Sequence, residues 1–337
     1  MWTLLALMTG MVGATTPDCP CESEYRAFAA TYDRPTSPAR CRNFCTNLAL
    51  VNDHNARPDT TYTAAIKPFH DLSELARLVS LYNGYYSNAP GLVPPPDAPP
   101  PLTVGWAGSH PESRDWWAQG RVVDVRNQGR CGDCWAESAI AVLESAYAQQ
   151  TGTLVELSVE QVAECTPQER NRGCEGGWPV DALRWAKVNG GVCTEADYPT
   201  TIGTGIDSSC NATVNCTKAI TIGEVVQIPT GDEDQMFAAL TTDVVSVAID
   251  ASGRGFSAYA SGVYDGTFNG TVDCNKGALD HAVLVAGYGT LDATGVPFYA
   301  VKNSWGTAGW GGMGGYLLMR RGINVCGIAQ DAVHITF

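Results

Sequence analysis

A glycine-bearing turn, Gln128-Gly129-Arg130-Cys131-Gly132-Asp133-Cys134-Trp135, runs directly into a segment of helical periodicity. That placing puts Cys134 at the start of a helix, where unpaired N–H groups and the positive dipole end stabilise a thiolate and make it a nucleophile near neutral pH. A thiolate nucleophile needs a histidine for proton transfer. The chain has five histidines. His54 and His70 precede a proline run, His110 lies just after it and His334 is almost terminal, which leaves His281 in Leu279-Asp280-His281-Ala282-Val283, at the entry to an apolar strand. Twenty-two residues on, Lys302-Asn303-Ser304-Trp305-Gly306 ends a second apolar strand. Asn303 can accept a hydrogen bond from the imidazole and fix its tautomer, and Trp305 can shield that bond from water. The Gln128 side-chain N–H can join the backbone N–H of Cys134 in binding a developing oxyanion. Singly these are bland turn residues; together the four make an acyl-transfer site. The Cys131–Cys134 spacing also permits a disulfide redox pair or half of a zinc site. A redox pair needs a preceding strand in a compact βαβ unit, and a zinc ribbon needs a second close pair, whereas Cys165 and Cys174 lie nine residues apart.

Elements able to position these groups are legible. Cys134 to Gln150 has apolar residues at Ile140, Leu143 and Tyr147 and stops at Gly152, which predicts a helix. A second starts at Ser158, with Gln161 three residues on in a capping-box pattern. A third runs from about Val180 to Val188 and ends at Gly190-Gly191. Val244 to Ile249, Ala282 to Ala286, Phe298 to Lys302 and Tyr316 to Met319 are short runs between glycine-bearing turns and predict strands. A helical lobe thus precedes a β lobe, an α+β arrangement whose interface forms a cleft.

Upstream, Pro94 to Pro101 can continue neither a helix nor a central strand, so it reads as a linker. Before it, Tyr25, Phe28 and Ala29, then Phe44, Leu48 and Val51, recur at helical intervals and predict a small helical module. Its four cysteines, Cys19, Cys21, Cys41 and Cys45, can pair among themselves and help so small a unit hold together. Against 35 acids stand 21 Lys and Arg, a net charge of −14, which argues against a nucleic-acid binder or a basic membrane-surface protein. Thirteen cysteines point to an oxidising compartment, and an odd count leaves one thiol over. Leu4 to Val12 is a short apolar run leading to small residues, so residues 1–14 read as a signal peptide, too short for a membrane span. Three sequons, at Asn211, Asn215 and Asn269, fit a glycosylating pathway. The organisation expected is a leader over 1–14, a helical segment over 15–93, a Pro-rich linker over 94–110 and the main domain over 111–337.

Gln128-Gly129-x-Cys131-Gly132-x-Cys134-Trp135-Ala136 and Asn303-Ser304-Trp305-Gly306 are similar to the two most specific signatures of papain-family cysteine proteases, and the resemblance covers essentially the whole chain. Gly173-Cys174-Glu175-Gly176-Gly177 resembles that family's substrate-binding turn, Asp280-His281-Ala282 its histidine motif, and Arg114-Asp115-Trp116 the start of the mature enzyme. The resemblance implies a two-lobe fold with a barrel-like β lobe, peptide or protein substrates, cystatin-like inhibitors, a monomer, and no cofactor or metal. It implies that Cys134 attacks the scissile carbonyl, His281 protonates the leaving amine, Asn303 orients His281, and Gly176 and Gly177 present backbone to an extended peptide. Family disulfides carry over as Cys131–Cys174, Cys165–Cys210 and Cys274–Cys326, and Cys193–Cys216 is the remaining pair. The N-terminal segment resembles the family's helical inhibitory prosegment through Arg40, Phe44, Asn47, Val51 and Asn55, with Thr36 where a glutamate is expected, and through Phe69 and Asp71. Such prosegments run through the cleft in the non-productive direction, so activation would cut between about Leu102 and Glu112. A lysosome-like or extracellular destination follows.

Two departures stand beside the nucleophile. Asp133 replaces a small polar residue and Glu137 an aromatic one, which puts negative charge near Cys134 unless both face solvent. If they do face the site, a lower pH optimum than in typical relatives is expected. Asp331, five residues after Cys326, falls where the family places the floor of the pocket for the second residue before the cut, with Ala248, Leu279 and Trp178 as apolar walls and Asp280 and Trp305 along the cleft. An acid there resembles members that accept arginine as well as bulky apolar side chains. No His-x-His pair exists to build an exopeptidase loop, which favours endopeptidase action. The competing readings are a catalytically silent homologue that binds peptides and a disulfide oxidoreductase using Cys131 and Cys134.

Overall fold

The computed structural model describes residues 19–80, 111–167, 169–201, 209–211, 213, 214, 216, 218–220, 222–307, 310 and 312–336. The leader over 1–14, the linker over 94–110 and the Asn215 sequon lie outside them. In chain order come helices α1 (Glu22–Thr31) and α2 (Pro38–Asn55), strand β1 (Tyr62–Ala64), α3 (Glu74–Ser80) and β2 (Arg114–Asp115). Then follow α4 (Cys134–Thr151), α5 (Val159–Cys165), α6 (Pro179–Val188), β3 (Glu224–Ile228), α7 (Glu233–Leu240), β4 (Val245–Ile249) and α8 (Arg254–Ala258). The chain closes with β5 (Tyr259–Tyr264), β6 (Thr267–Phe268), β7 (Thr271–Val272), β8 (His281–Leu291), β9 (Val296–Lys302), β10 (Tyr316–Arg320) and β11 (Ala332–Thr336).

Helix α4 is the spine. Its sequence is rich in alanine and free of glycine and proline until Gly152, which takes the left-handed φ of 72° that ends it. It is buried almost all round because α5 and α6 cover one side and β4 and β8 the other. Small residues such as Ala136, Ala139 and Ala146 allow this close packing. Ser158 caps α5 by accepting the Gln161 N–H at 3.0 Å, as the capping pattern predicts.

The sheet runs β1-β5-β10-β9-β8-β4-β11-β3, with β2 also paired to β8. Among the described residues it is open and does not close into a barrel. Strand β8 is central, pairing with β4, β9 and β2, so its first nine residues are buried on both faces and read as a continuous apolar run. At Gly287 a side chain would meet the Arg114 carbonyl oxygen at 2.4 Å, so glycine is required for β2 to lie alongside.

The N-terminal module packs α1 on α2 through Tyr25, Phe28 and Phe44, and Cys19–Cys41 and Cys21–Cys45 staple the pair. Asp71, fully buried, accepts from Arg40 at 2.6 Å and Arg34 at 2.8 Å, tying α2 to the chain after β1. Asn55 clamps Ala64 through two 2.9 Å bonds, and β1 adds itself antiparallel to β5. Four further disulfides, Cys131–Cys174, Cys165–Cys210, Cys193–Cys216 and Cys274–Cys326, join the remaining cysteines in the expected pairs. Cys134 alone stays a thiol.

Candidate active site

Helix α4 begins at Cys134 and β8 begins at His281, so the two lobes place a thiol and an imidazole at their junction. The N–H of Ala282, next to that histidine, donates to Cys134 Sγ at 3.4 Å. On the ring's other side, His281 Nε2 meets Asn303 Oδ1 at 2.7 Å. Asn303 Oδ1 also accepts the Ser304 N–H at 2.8 Å, which turns the carboxamide oxygen toward the ring and assigns the proton to Nε2. His281 Nδ1 is buried and has no hydrogen-bond partner among the described residues, so it is the nitrogen able to take up a proton. Burial pushes the imidazole down to about 4, and the Asn303 bond opposes this only in part. Trp305 stacks on the ring with centroids 4.9 Å apart, and Phe256 and Trp310 brace the indole edge-on.

Gln128 locks the two lobes together. Its Oε1 accepts from Ser304 Oγ at 2.5 Å, its backbone N–H donates to the Ser304 carbonyl, and its Nε2 donates to the Cys131 carbonyl at 2.8 Å. Cys131 is bonded to Cys174 and not poised against Cys134, which removes the redox-pair reading. That bridge, with the Gly132 N–H on the Cys174 carbonyl, fixes the turn containing Gly176 and Gly177 beside the start of α4. A side chain on Gly177 would meet the Trp135 indole at 2.6 Å and Asn171 Oδ1 at 2.4 Å, so only glycine keeps the backbone this close. Trp178 follows as the buried N-cap residue of α6.

Other predicted site residues gather on the β side. Ala248 in β4 pairs with Ala282, and its N–H donates to the Asp331 carbonyl at 2.9 Å. Leu279 is buried and Asp331 is half-buried. Asp280 turns its Oδ1 to the Ala251 N–H at 2.8 Å, bracing the loop after β4. Of the described sequons, Asn211 is exposed, whereas Asn269 Nδ2 donates to the Leu50 carbonyl of α2 at 3.3 Å.

Asp133 and Glu137 do not face solvent: they are 1% and 9% exposed. Glu137 lies 3.7 Å from Arg126, which is also ion-paired with Glu144. Burial is the larger influence on Glu137 and raises its carboxyl, with Arg126 and then Lys302 opposing. Burial likewise brings Lys302 down to about 8, opposed by Glu144. Arg126, Glu144 and Lys302 were not read as site residues in the sequence, although Arg126 and Lys302 lie two and one residues before Gln128 and Asn303. Arg126, Glu137 and Lys302 line a narrow cavity with Ala282, Asn303 and Ser304, directly behind the imidazole's partner.

A thiol at a helix start, an imidazole fixed by a carboxamide and a glycine turn between two lobes define a papain-like architecture. Residues 110–336 match the model of the papain family of cysteine proteases, and the chain belongs to that family. It is 43% identical over 230 residues to a cathepsin L of Sarcophaga peregrina, covering 67% of this chain and 64% of that one. The chain therefore spans under two thirds of that relative's length. The proform of the ragweed pollen cysteine protease Amb a 11 superposes with a TM-score of 0.83 at 29% identity over 94% of both chains, so the likeness includes the N-terminal module. Bromelain from Ananas comosus, solved with the inhibitor E64, matches with a TM-score of 0.59 at 36% identity, covering 67% of this chain and 99% of its own.

Proposed function

We propose that this chain is the zymogen of a cysteine endopeptidase. The observation that carries the reading is the division of the His281 ring: Nε2 is committed to Asn303, and Nδ1 is left for proton exchange where the Cys134 sulfur lies beside the Ala282 N–H. In the reaction, Cys134 Sγ gives its proton to His281 Nδ1 and attacks the scissile carbonyl carbon. The oxyanion is held by the Cys134 N–H and the Gln128 carboxamide, and the imidazolium gives its proton to the leaving amine as the C–N bond breaks. Water, deprotonated by the same imidazole, then splits the thioester and returns the thiol. Gly176 and Gly177 offer backbone to an extended substrate. Ala248, Leu279 and Trp178 favour an apolar second residue, and Asp331 admits arginine there.

Residues 15–93 act as the intramolecular inhibitor, 94–110 as the activation region and 111–337 as the peptidase, made in the secretory pathway behind the 1–14 leader. Six disulfides support an oxidising compartment. The processed enzyme should be labelled stoichiometrically at Cys134 by a peptide epoxide and should cleave internal peptide bonds. An unlabelled Cys134 in correctly folded, processed protein would return the chain to a peptide-binding role. Replacing Asp331 with alanine should lower kcat/KM about tenfold on peptides with arginine second before the cut, the loss of one charge-assisted pair. Equal rates for parent and variant would remove the basic preference.

A further inference from the structure

Arg77 of α3 is buried against the peptidase portion in a set of contacts that the catalytic reading does not use. Its Nη1 donates to Ser257 Oγ at 2.9 Å and its Nη2 to the Ser252 carbonyl at 2.9 Å, while Glu74 of the same helix takes Nη2 at 2.7 Å. The receiving loop is held by its own residues. Asp250 Oδ1 accepts both the N–H and the hydroxyl of Ser252, at 2.9 and 2.6 Å, and Asp250 Oδ2 accepts the Asn275 N–H. The Ser257 hydroxyl gives its hydrogen to the Arg254 carbonyl at 3.0 Å, so a lone pair is what it offers Arg77. Phe256 N–H is fixed by Asp273. Each of these bonds is made within residues 250–275.

The loop borders the imidazole. Ala251, one residue before Ser252, is held by Asp280, one residue before His281. Phe256, one residue before Ser257, packs on Trp305 with centroids 5.6 Å apart, and Trp305 stacks on His281. A general acid sits over the amine it protonates, so the residues carried away by that amine lie on this side.

We propose that the Ser252–Ser257 loop is a guanidinium subsite on the leaving-group side of the cleft, which Arg77 fills in the zymogen and a substrate arginine fills in the processed enzyme. This rests on the endopeptidase reading. Two separate nitrogens on two separate acceptors match a guanidinium fork, whereas a lysine ammonium would have to reach both from a single nitrogen. Asp250, whose carboxylate holds Ser252, is the acid bonded directly to the residue whose carbonyl takes Arg77. The cation of the loop, Arg254, pairs with Glu74 at 2.9 Å and is 41% exposed, so solvent screens it once α3 has gone.

The test uses enzyme processed from the full chain and quenched peptides with one fixed sequence before the cut and arginine, lysine or alanine at each of the three positions after it. Arginine at one of these positions should raise kcat/KM about tenfold over alanine and clearly over lysine, as hydrogen bonds to a charged donor allow. Ser257→Ala should bring the arginine-to-alanine ratio to within about twofold. Cleavage of all peptides at one rate overturns this assignment and leaves the endopeptidase reading standing. Absence of both cleavage and epoxide labelling overturns that reading instead. The subsite is then decided by calorimetric binding of the same peptides, where equal affinity for arginine and alanine rejects it.

Discussion

At the scale of single residues, the chemistry is divided between groups that react and groups that hold them. Asn303 is held by the Ser304 N–H, His281 by Asn303 and Trp305, and Gln128 by Ser304. Glu137 belongs to neither set. Its carboxyl is raised above the ordinary value because burial outweighs Arg126 and Lys302. In the unfolded chain it ionises first, so its contribution is harmless at low pH and becomes a cost as pH rises through the carboxylate range. Glu137→Gln should therefore stabilise the protein on the order of 1 kcal/mol more at pH 7 than at pH 4, read from thermal unfolding at both. A constant difference across that range would mean that the pairing cations compensate the carboxylate fully. The acidic pair was visible in the sequence as a departure, but its direction was not. One-dimensional spacing places Glu137 near Cys134, whereas the buried flank of α4 aims it at Arg126.

Among the elements, those with a strong local signal were legible. Helix α4, its stop at Gly152, the Ser158 cap and strands β4, β8, β9 and β10 follow from periodicity, glycine and capping chemistry. Strand β8 runs farther than the apolar run Ala282–Ala286 because Gly287 and Gly289, which weaken strand propensity, are rescued by β2 and β9 pairing. Strands β1, β3, β5 and β11 were not anticipated; β1 has three residues and acquires its order by pairing with β5. Helix α7 starts with an Asp232 cap accepting the Gln235 N–H, a signal present in the sequence and overlooked. Beyond β1, burial, then Arg77, Lys67 and Arg254, push His70 down to about 3, while Nδ1 accepts the Lys67 N–H. An unfolded histidine near 6.5 takes a proton first, so this contact is fully stabilising above that pH and weakens as pH falls from about 6.5 toward 3. Hydrogen-exchange protection around residues 65–72 of the Cys134→Ala full-length chain, corrected for the intrinsic base-catalysed rate, should fall on acidification from pH 7 to 4, and His70→Gln should flatten the response. Identical pH dependence in both proteins would place the sensitivity elsewhere.

For the whole molecule, the two lobes are joined by Gln128, Ser304 and the sulfur beside Ala282, and the N-terminal module spans from the sheet edge at β5 to the loop after β4. The family and the grouping of Cys134, His281 and Asn303 were readable because the cysteine turn and the asparagine motif carry dense chemistry. The module's grip was less so, since Arg77 reaches Ser257 across 180 residues of sequence. Strand β1 pairs with β5, which ends at Tyr264, before His281 and Asn303 occur in the chain. During synthesis, then, strand β1 can find its partner strand before the imidazole and its carboxamide have emerged. On the zymogen reading proposed above, the thiol would gain its imidazole only after the N-terminal module had found its partner strand.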